Sequence, residues 1–318
     1  MTRLIGDRRI ALGILIVLAI VIMSLLSPYF FNVQNLLSLM QYSAVVGLLA
    51  LGQSMVILGG GGGIDLSVGS TLSLSSITFG LIAVHSGWSP WVAAAGALLV
   101  GALLGLLNGV LINALGMPPL IVTLGTLYLY GSAALVLANG IDINGFDRDG
   151  FSMLGETAVL GIPTQVLLVL IPAYALISWT MNRTRFGREV YQIGSNEKAA
   201  GLAGVNVGWT RTKLYMISGI FSALGAVVTA SWLLNAKSTG GVGMELQAIT
   251  IAVLGGIAIT GGVGRVSGTL LALVLVAVLN SGMALAGIGS TYQVGLLGVV
   301  LIGSVLVRSK AATPTSVP

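Results

Sequence analysis

The sequence contains no cysteine and a single histidine, His85, among its 318 residues. A disulfide framework, thiol catalysis and cysteine-based metal sites are therefore excluded. A bound metal would have to rely on aspartate and glutamate, which are scarce, with 9 in the whole chain. We expect neither a metal nor another cofactor in this protein.

Charged residues make up only 7% of the chain, against about a quarter in an ordinary soluble domain. The apolar fraction is 56% and the mean hydropathy is +1.02. The apolar residues form continuous runs of the ~20 residues that a helix needs to cross the hydrocarbon core. A β-barrel would show shorter, alternating segments. The composition excludes a soluble fold and predicts an all-α polytopic membrane protein.

Hydropathy and helix breakers predict about ten transmembrane helices in one domain, 1–318. The predicted spans are 10–26, 35–58, 64–84, 91–115, 119–138, 163–181, 213–235, 245–261, 267–286 and 291–307. Ten spans place both termini on one side. On that side lie 12 of the 14 lysine and arginine residues. Because the spans are assigned from apolar residues only, this segregation of charge supports the count independently.

The positive-inside rule makes the basic side cytoplasmic. Both termini and the loop 182–212 are then cytoplasmic, whereas the loop 139–162 is extracytoplasmic, and we expect the tail 309–318 to be disordered. The net charge of +5 is read as this topology signal and not as a sign of nucleic-acid binding.

Glycine is abundant, with 46 residues, and it marks two breaks in the apolar spans. Five consecutive glycines, Gly59–Gly63, cannot sustain a helix, since each costs about 1 kcal/mol relative to alanine. Irregular backbone at membrane depth must be buried in protein or face an aqueous cavity, so we expect this segment beside a translocation path. The second break, 254–268, suggests a repeated architecture, and ten helices could form a 5+5 inverted repeat.

Other glycines lie within a predicted span, at Gly96, Gly101, Gly105 and Gly109. They recur every four or five residues, which gives one helix a smooth face for close packing against a neighbour. We therefore expect a tight bundle.

Polar residues inside the spans are mostly amides and hydroxyls, whereas ion-coupled carriers usually place carboxylates or histidine there. This pattern favours a neutral polyhydroxylated cargo. The predicted pathway residues are Asp65, Ser67, Gln53, Asn108 and Asn280. Asp65 follows the first break and can accept hydrogen bonds from the next helix start, helped by Ser67 and Ser70. Asp65 could instead be only a helix cap, and the amides could serve only helix–helix contacts.

The loop 182–212 contains a candidate docking helix. Ser195 or Asn196 can cap a helix that begins at Glu197, and Gly204 can end it. Such a short helix is marginal in water without a docking surface. Its small residues, including Ala199 and Ala200, suit a groove on another protein, although the loop could be only a solvated topology signal.

Four ordered stretches carry a resemblance to a known family: Gly62–Gly69, Pro118–Gly125, Thr184–Ala200 and Glu245–Gly264. In them the chain resembles, over nearly its whole length, the permease subunits of bacterial ATP-binding cassette importers of the ribose, galactose, xylose and autoinducer-2 type. The stretch 123–130 looks nearer to the autoinducer-2 branch.

The resemblance implies a plasma-membrane permease that works as a dimer, of two copies or a related pair. It implies two cytoplasmic ATPases as partners and an extracytoplasmic protein that delivers the solute. The helix at Asn196, Glu197, Ala199, Ala200 and Gly204 looks like the coupling helix that docks on the ATPase. No glycine-rich stretch has the Gly-Lys-Ser/Thr of a nucleotide loop, so the chain itself should not be an enzyme. The main alternative is a secondary carrier or channel that acts alone.

The charge segregation predicts which loops a membrane-impermeant thiol reagent reaches. The absence of cysteine makes single-cysteine labelling free of background. We expect Asp147→Cys to react from outside intact cells and Lys198→Cys to react only after permeabilisation. The opposite labelling pattern would contradict the ten-helix topology.

Overall fold

The computed structural model describes residues 8–311, and helices dominate it. The predicted disordered tail, 309–318, lies mostly outside the described residues. The helices are α1 Arg8–Leu26, α2 Val33–Leu58, α3 Val68–Gly80, α4 Pro90–Asn113, α5 Pro119–Leu137, α6 Ile171–Arg183, α7 Arg185–Ser195, α8 Glu197–Leu202, α9 Val207–Leu233, α10 Met244–Leu254, α11 Val266–Leu285 and α12 Ser290–Ala311. π-helical turns extend α3 at Leu81–His85 and precede α6 at Val166–Leu170.

Seven helical segments of the described chain are long and apolar enough to cross a membrane. These segments are Val33–Leu58, Val68–His85, Pro90–Asn113, Pro119–Leu137, Val166–Arg183, Val207–Leu233 and Val266–Leu285. Three shorter apolar helices, Ile10–Leu26, Met244–Leu254 and Thr291–Gly303, fall within or close to the remaining predicted spans. The chain is thus a polytopic helical membrane protein, as its composition predicts.

Helix α2 forms the centre of the bundle. Every residue from Ser43 to Leu58 is buried, so no side of this half of the helix faces the surroundings. Helices α9, α10 and α11 pack around it. A helix that is apolar on all sides belongs in the core of a bundle, which explains why this span shows no amphipathic stripe.

Helices α4 and α9 cross in close contact through the predicted glycine face. A Cβ on Gly101 would lie 2.5 Å from the carbonyl oxygen of Gly219, and one on Gly109 would lie 2.7 Å from the Cα of Thr212. Gly105 meets the α9 backbone in the same way, whereas Gly96 faces a different neighbour, Ile82. Three of the four predicted glycines therefore let the two backbones touch.

The loop 139–162 is folded down onto the ends of α3 and α4. Phe146 and Phe151 pack on Phe79 of α3, with ring centroids 4.9 and 5.0 Å away. Arg148 donates to the carbonyl oxygen of Trp88 at 2.7 Å. Four short strands lie here: β1 Ile143–Asn144 pairs with β4 Asn235–Ala236, and β2 Ala158–Val159 pairs with β3 Ile162–Pro163, both antiparallel. This end of the bundle is called the loop end.

The opposite end carries both glycine breaks, helices α7 and α8, and most arginines, and is called the basic end. The predicted span 245–261 is wrong in its second half, because α10 stops at Leu254 and Gly256, with φ +104°, turns the chain away. The 11 residues of α10 cover about 16 Å, roughly half of the hydrocarbon thickness.

Candidate functional site

The first glycine break opens the backbone where the sequence predicts it. Helix α2 ends at Leu58 and the next helix begins at Val68. Gly60, Gly61 and Gly62 have φ values of +67°, +64° and +69°. Side chains are strained in this left-handed region, so three such residues in a row explain the glycine run.

The carboxylate of Asp65 anchors the end of this break. It is only 2% exposed, and its Oδ1 accepts from the backbone N–H of Ser67 at 3.0 Å and from the Ser67 hydroxyl at 2.7 Å. Its Oδ2 accepts from the hydroxyl of Ser218, on α9, at 3.0 Å. The predicted bond from the next helix start is thus present, and a tertiary partner adds to it. Ser70 assists indirectly, since its hydroxyl donates to the Ser67 carbonyl.

Two amides complete this buried network. Asn108, on α4, donates to the Ser67 hydroxyl at 2.8 Å and accepts from the Tyr130 hydroxyl at 3.2 Å. With its amide turned to satisfy both groups, Gln53 donates to the Asp65 carbonyl at 3.0 Å and accepts from the Asp65 N–H at 3.2 Å. Gln53, Asp65, Ser67, Asn108 and Ser218 are called the Asp65 cluster. The cluster joins α2, α4 and α9 around the break, and the hydroxyl of Tyr130, on α5, donates to it.

The two glycine breaks meet each other and the end of α7. The N–H of Gly262 donates to the carbonyl of Leu58 at 3.0 Å. A Cβ on Gly60 would lie 2.8 Å from the Cα of Gly194, and one on Gly262 would lie 2.5 Å from the Ser195 nitrogen. Gly60, Gly194, Gly261 and Gly262 are called the glycine junction. Backbones this close leave no room for side chains, so a movement of α7 reaches both breaks directly.

The candidate docking helix is α8. Asn196 caps it by accepting from the N–H of Ala199 at 3.0 Å, so Asn196 is the cap and Ser195 is not. The chain turns away at Gly204, with φ +82°. Ala200 is 4% exposed, whereas Leu202 is 92% exposed. The large apolar side chain that α8 exposes is therefore Leu202, which sequence reasoning did not single out.

Arg211 connects α8 to the first break. Its guanidinium forms an ion pair with Glu197 at 2.9 Å, and its Nε donates to the carbonyl of Gly59 at 3.2 Å. A second link comes from α7, where the Tyr191 hydroxyl donates to the Gly264 carbonyl at 3.0 Å. Burial raises the pKa of the Tyr191 phenol, an effect that Arg265 partly offsets, so the phenol remains a proton donor at neutral pH.

Two cavities lie in different parts of the bundle. One, of about 400 Å³, opens beside the glycine run at the basic end and is bordered by Arg211, Glu197 and Tyr215. The other, of about 510 Å³, lies between α2, α10, α11 and α12 and contains Asn280. The Oδ1 of Asn280 is buried there without a hydrogen-bond partner. No group of three histidine, cysteine or acidic residues comes together in the described part of the chain.

Residues 35–305 match the family described as branched-chain amino acid transport system / permease component. The chain belongs to this family of permeases. The permease is 39% identical over 296 residues to the ribose import permease protein RbsC of Bacillus subtilis, covering 92% of this chain and 90% of that one. It is 36% identical to RbsC of Escherichia coli K12, covering 96% and 94% of the two chains. No solved structure matches the permease significantly.

The permease is also 37% identical to the autoinducer 2 import system permease protein LsrD of Enterobacter sp. strain 638, over 93% of this chain and 91% of that one. The sequence identities to the ribose permeases and to the autoinducer 2 permeases are similar, so they do not assign the chain to either branch of the family. The chain is the transmembrane permease subunit of an ATP-binding cassette importer, and its place is the bacterial plasma membrane. The family implies a separate ATPase and a solute-binding protein as partners.

The structure brings four of the five predicted pathway residues together. Gln53, Asp65, Ser67 and Asn108 form one network, whereas Asn280 lines the separate cavity. Sequence reasoning missed Ser218 and Arg211. A hydroxyl among many in α9 carries no signal in the sequence, and Arg211 looks there like one more basic residue of a cytoplasmic loop.

The Asp65 cluster predicts a stability effect larger than that of an ordinary cap. Asp65→Ala removes the acceptor of two hydroxyls and one N–H, which would stay buried without a partner. We expect the free energy of unfolding in detergent to fall by about 1–3 kcal/mol and uptake to fall at equal membrane abundance. The exposed Asp147→Ala should change stability by at most about 0.5 kcal/mol. Equal effects of the two variants would contradict this role of Asp65.

Proposed function

We propose that the permease imports a monosaccharide or a sugar-like solute, delivered by an extracytoplasmic binding protein. The named cargoes of its relatives, ribose and autoinducer 2, support a small cargo rich in hydroxyl groups. The chemistry of the bundle interior agrees, because its buried polar side chains are mostly serine, threonine, asparagine and glutamine. Such groups bind neutral hydroxyls and give little affinity for an ion.

The proposed topology has ten membrane crossings in a single domain, 1–318. In it the basic end, with both termini and the loop 182–212, faces the cytoplasm, and the loop end, with 139–162, faces outward. Seven long and three short apolar helices in the described chain support this count. The short α10 and the irregular segment before it would together form one membrane crossing. A 5+5 inverted repeat would place one glycine break in each half of the chain.

The proposed energy source is a pair of separate cytoplasmic ATPase subunits, and the chain itself has no ATPase site. It would pair with a second permease, identical or related, within the lipid bilayer. The observation that carries the proposal is α8: an exposed Leu202 lies on a six-residue helix that Glu197 and Arg211 connect to the first glycine break. An isolated helix of this length has little stability in water, and a docked partner would stabilise it.

The predicted coupling residues take distinct parts in this proposal. Asn196 and Gly204 set the two ends of α8, and Glu197 passes its motion to Arg211. Ala199 is exposed and lines a shallow cleft beside α8, where a partner could approach closely. Ala200 supports α8 from the inside.

The predicted pathway residues would shape the path at two levels. The Asp65 cluster would hold the wall beside the first break, because its side chains are satisfied by one another and do not need a cargo. Asn280 would line the larger cavity, where its unpartnered oxygen could accept a hydrogen bond from a passing solute.

The docking role of α8 predicts the effect of a charge at its exposed leucine. Leu202→Glu would bury an unpaired carboxylate at the ATPase contact, a penalty of several kcal/mol. We expect normal membrane abundance, loss of co-purifying ATPase, and loss of ribose or autoinducer 2 uptake. Leu160, 98% exposed in the loop 139–162, provides a matched control, and Leu160→Glu should keep the ATPase bound.

Normal uptake by Leu202→Glu without bound ATPase would overturn the proposal. The permease would then work as a stand-alone carrier or channel. Normal uptake with the ATPase still bound would place the docking contact elsewhere on the chain.

A further inference from the structure

A third cavity, of about 250 Å³, lies between α3, α5 and the start of α10. The segment that follows β4 runs into the bundle alongside α3 and lines this cavity. Ala236 lies against Gly80, and five residues later Gly241 lies against Gly69, about 16 Å further along α3. The N–H of Gly241 donates to the hydroxyl of Ser73 at 3.0 Å. Helix α10 therefore starts inside the bundle and not at its end.

Two helix starts thus meet at this cavity. Helix α3 starts after the first glycine break, and α10 starts after the chain 237–243, which is called the re-entrant segment. Gly69 carries no side chain at their meeting point, where a Cβ would lie 2.7 Å from the Oε2 of Glu245 and would collide with the Gly241 carbonyl. Transporters commonly bind solutes where discontinuous helices begin within the membrane.

Glu245 is the chemically unusual group here. It is half-buried, and in the described part of the chain no cationic side chain lies within ion-pairing distance of it. An ionisable side chain without a charged partner inside an apolar bundle is costly in free energy and points to function. Gln247, two residues later, already bonds to Tyr42 at 3.0 Å in the larger cavity. Among the residues that the structure describes, the Glu245 carboxylate has hydrogen bonds only from backbone N–H groups, those of Gly243 and of Glu245 itself.

The other polar side chains that line the cavity are hydroxyls, and they lie beside the apolar Leu127, Leu135 and Val242. Ser132 and Tyr128 come from α5, and Ser238 and Thr239 come from the re-entrant segment. Tyr128 is 68% exposed and offers both a ring face and a hydroxyl. The volume lies just below the ~300–1,000 Å³ of sites for drug-sized ligands, so it suits a solute of single-sugar size.

We propose that this cavity is the cargo site within the membrane and that Glu245 accepts hydrogen bonds from the hydroxyl groups of a neutral polyhydroxylated solute. The carboxylate is an acceptor only, and a charge-assisted bond to a hydroxyl is stronger than a neutral one. The surrounding serine and threonine hydroxyls can donate or accept as the orientation of the solute demands. The inference rests on the proposed function, since that supplies the class of cargo.

The first test uses chemical labelling, first without cargo and then with ribose and its binding protein. Ser132→Cys and Thr239→Cys, each alone in the cysteine-free chain, should react with a small charged thiol reagent in the assembled complex. Ser222→Cys is the control, because Ser222 is fully buried in α9 and lines none of the three cavities. We expect both cavity positions to react at least about tenfold faster than the control and ribose with its binding protein to slow them. Reaction no faster than that of the control would overturn the proposal.

The second test replaces the carboxylate while keeping its shape. Glu245→Gln should reduce ribose uptake by about tenfold, the effect of losing a charged hydrogen-bond partner. ATPase binding and membrane abundance should not change. Glu156→Gln, in the loop 139–162, is the control and should transport normally. Uptake by Glu245→Gln within about twofold of wild type would contradict the role of Glu245, whereas lost ATPase binding in Leu202→Glu tests the proposed function separately. If Glu245→Gln does not fold, the labelling result decides.

Discussion

The buried carboxylate of Asp65 is the contact on which the architecture around the first break depends. A helix interrupted by five glycines would have no defined direction on re-entering the bundle. Asp65 fixes this direction because it accepts hydrogen bonds from Ser67, the residue before α3, and from Ser218 of α9. Gln53 and Asn108 tie the same point to α2 and α4. The flexibility of the glycines is thereby confined to the few residues before Asp65.

The glycines before Asp65 therefore lie next to the glycine junction. On one side Gly60 contacts Gly194 of α7 and the second break, and on the other side Arg211 joins Gly59 to Glu197 of α8. A displacement of α8 at the basic end would reach the first break through the Glu197–Arg211 ion pair, and a displacement of α7 would reach both breaks through backbone contacts. The second break ends α10, whose first turn carries Glu245. A mechanical path would therefore run from α8, the proposed docking helix, to the proposed cargo site.

The sequence alone predicts most of the local structure correctly. The apolar runs locate the helices, the glycine run locates the first break, and the capping residues Asp65 and Asn196 act as their chemistry requires. It does not predict tertiary partners such as Ser218 and Arg211, since their roles depend on contacts across more than 150 residues of chain. It also treats 245–261 as an ordinary span, because hydropathy is equally high in a half-helix and in a full crossing.

If Arg211 transmits ATPase motion to the first break, loss of its guanidinium should lower the number of solute molecules imported per ATP hydrolysed. Arg211→Ala, in the assembled complex in vesicles, should still hydrolyse ATP but import roughly two- to thirtyfold less solute per ATP. Arg185→Ala is the matched control, because Arg185 pairs with Glu189 on the same helix, and its side chain is 82% exposed. An unchanged import ratio for Arg211→Ala would contradict this role of Arg211.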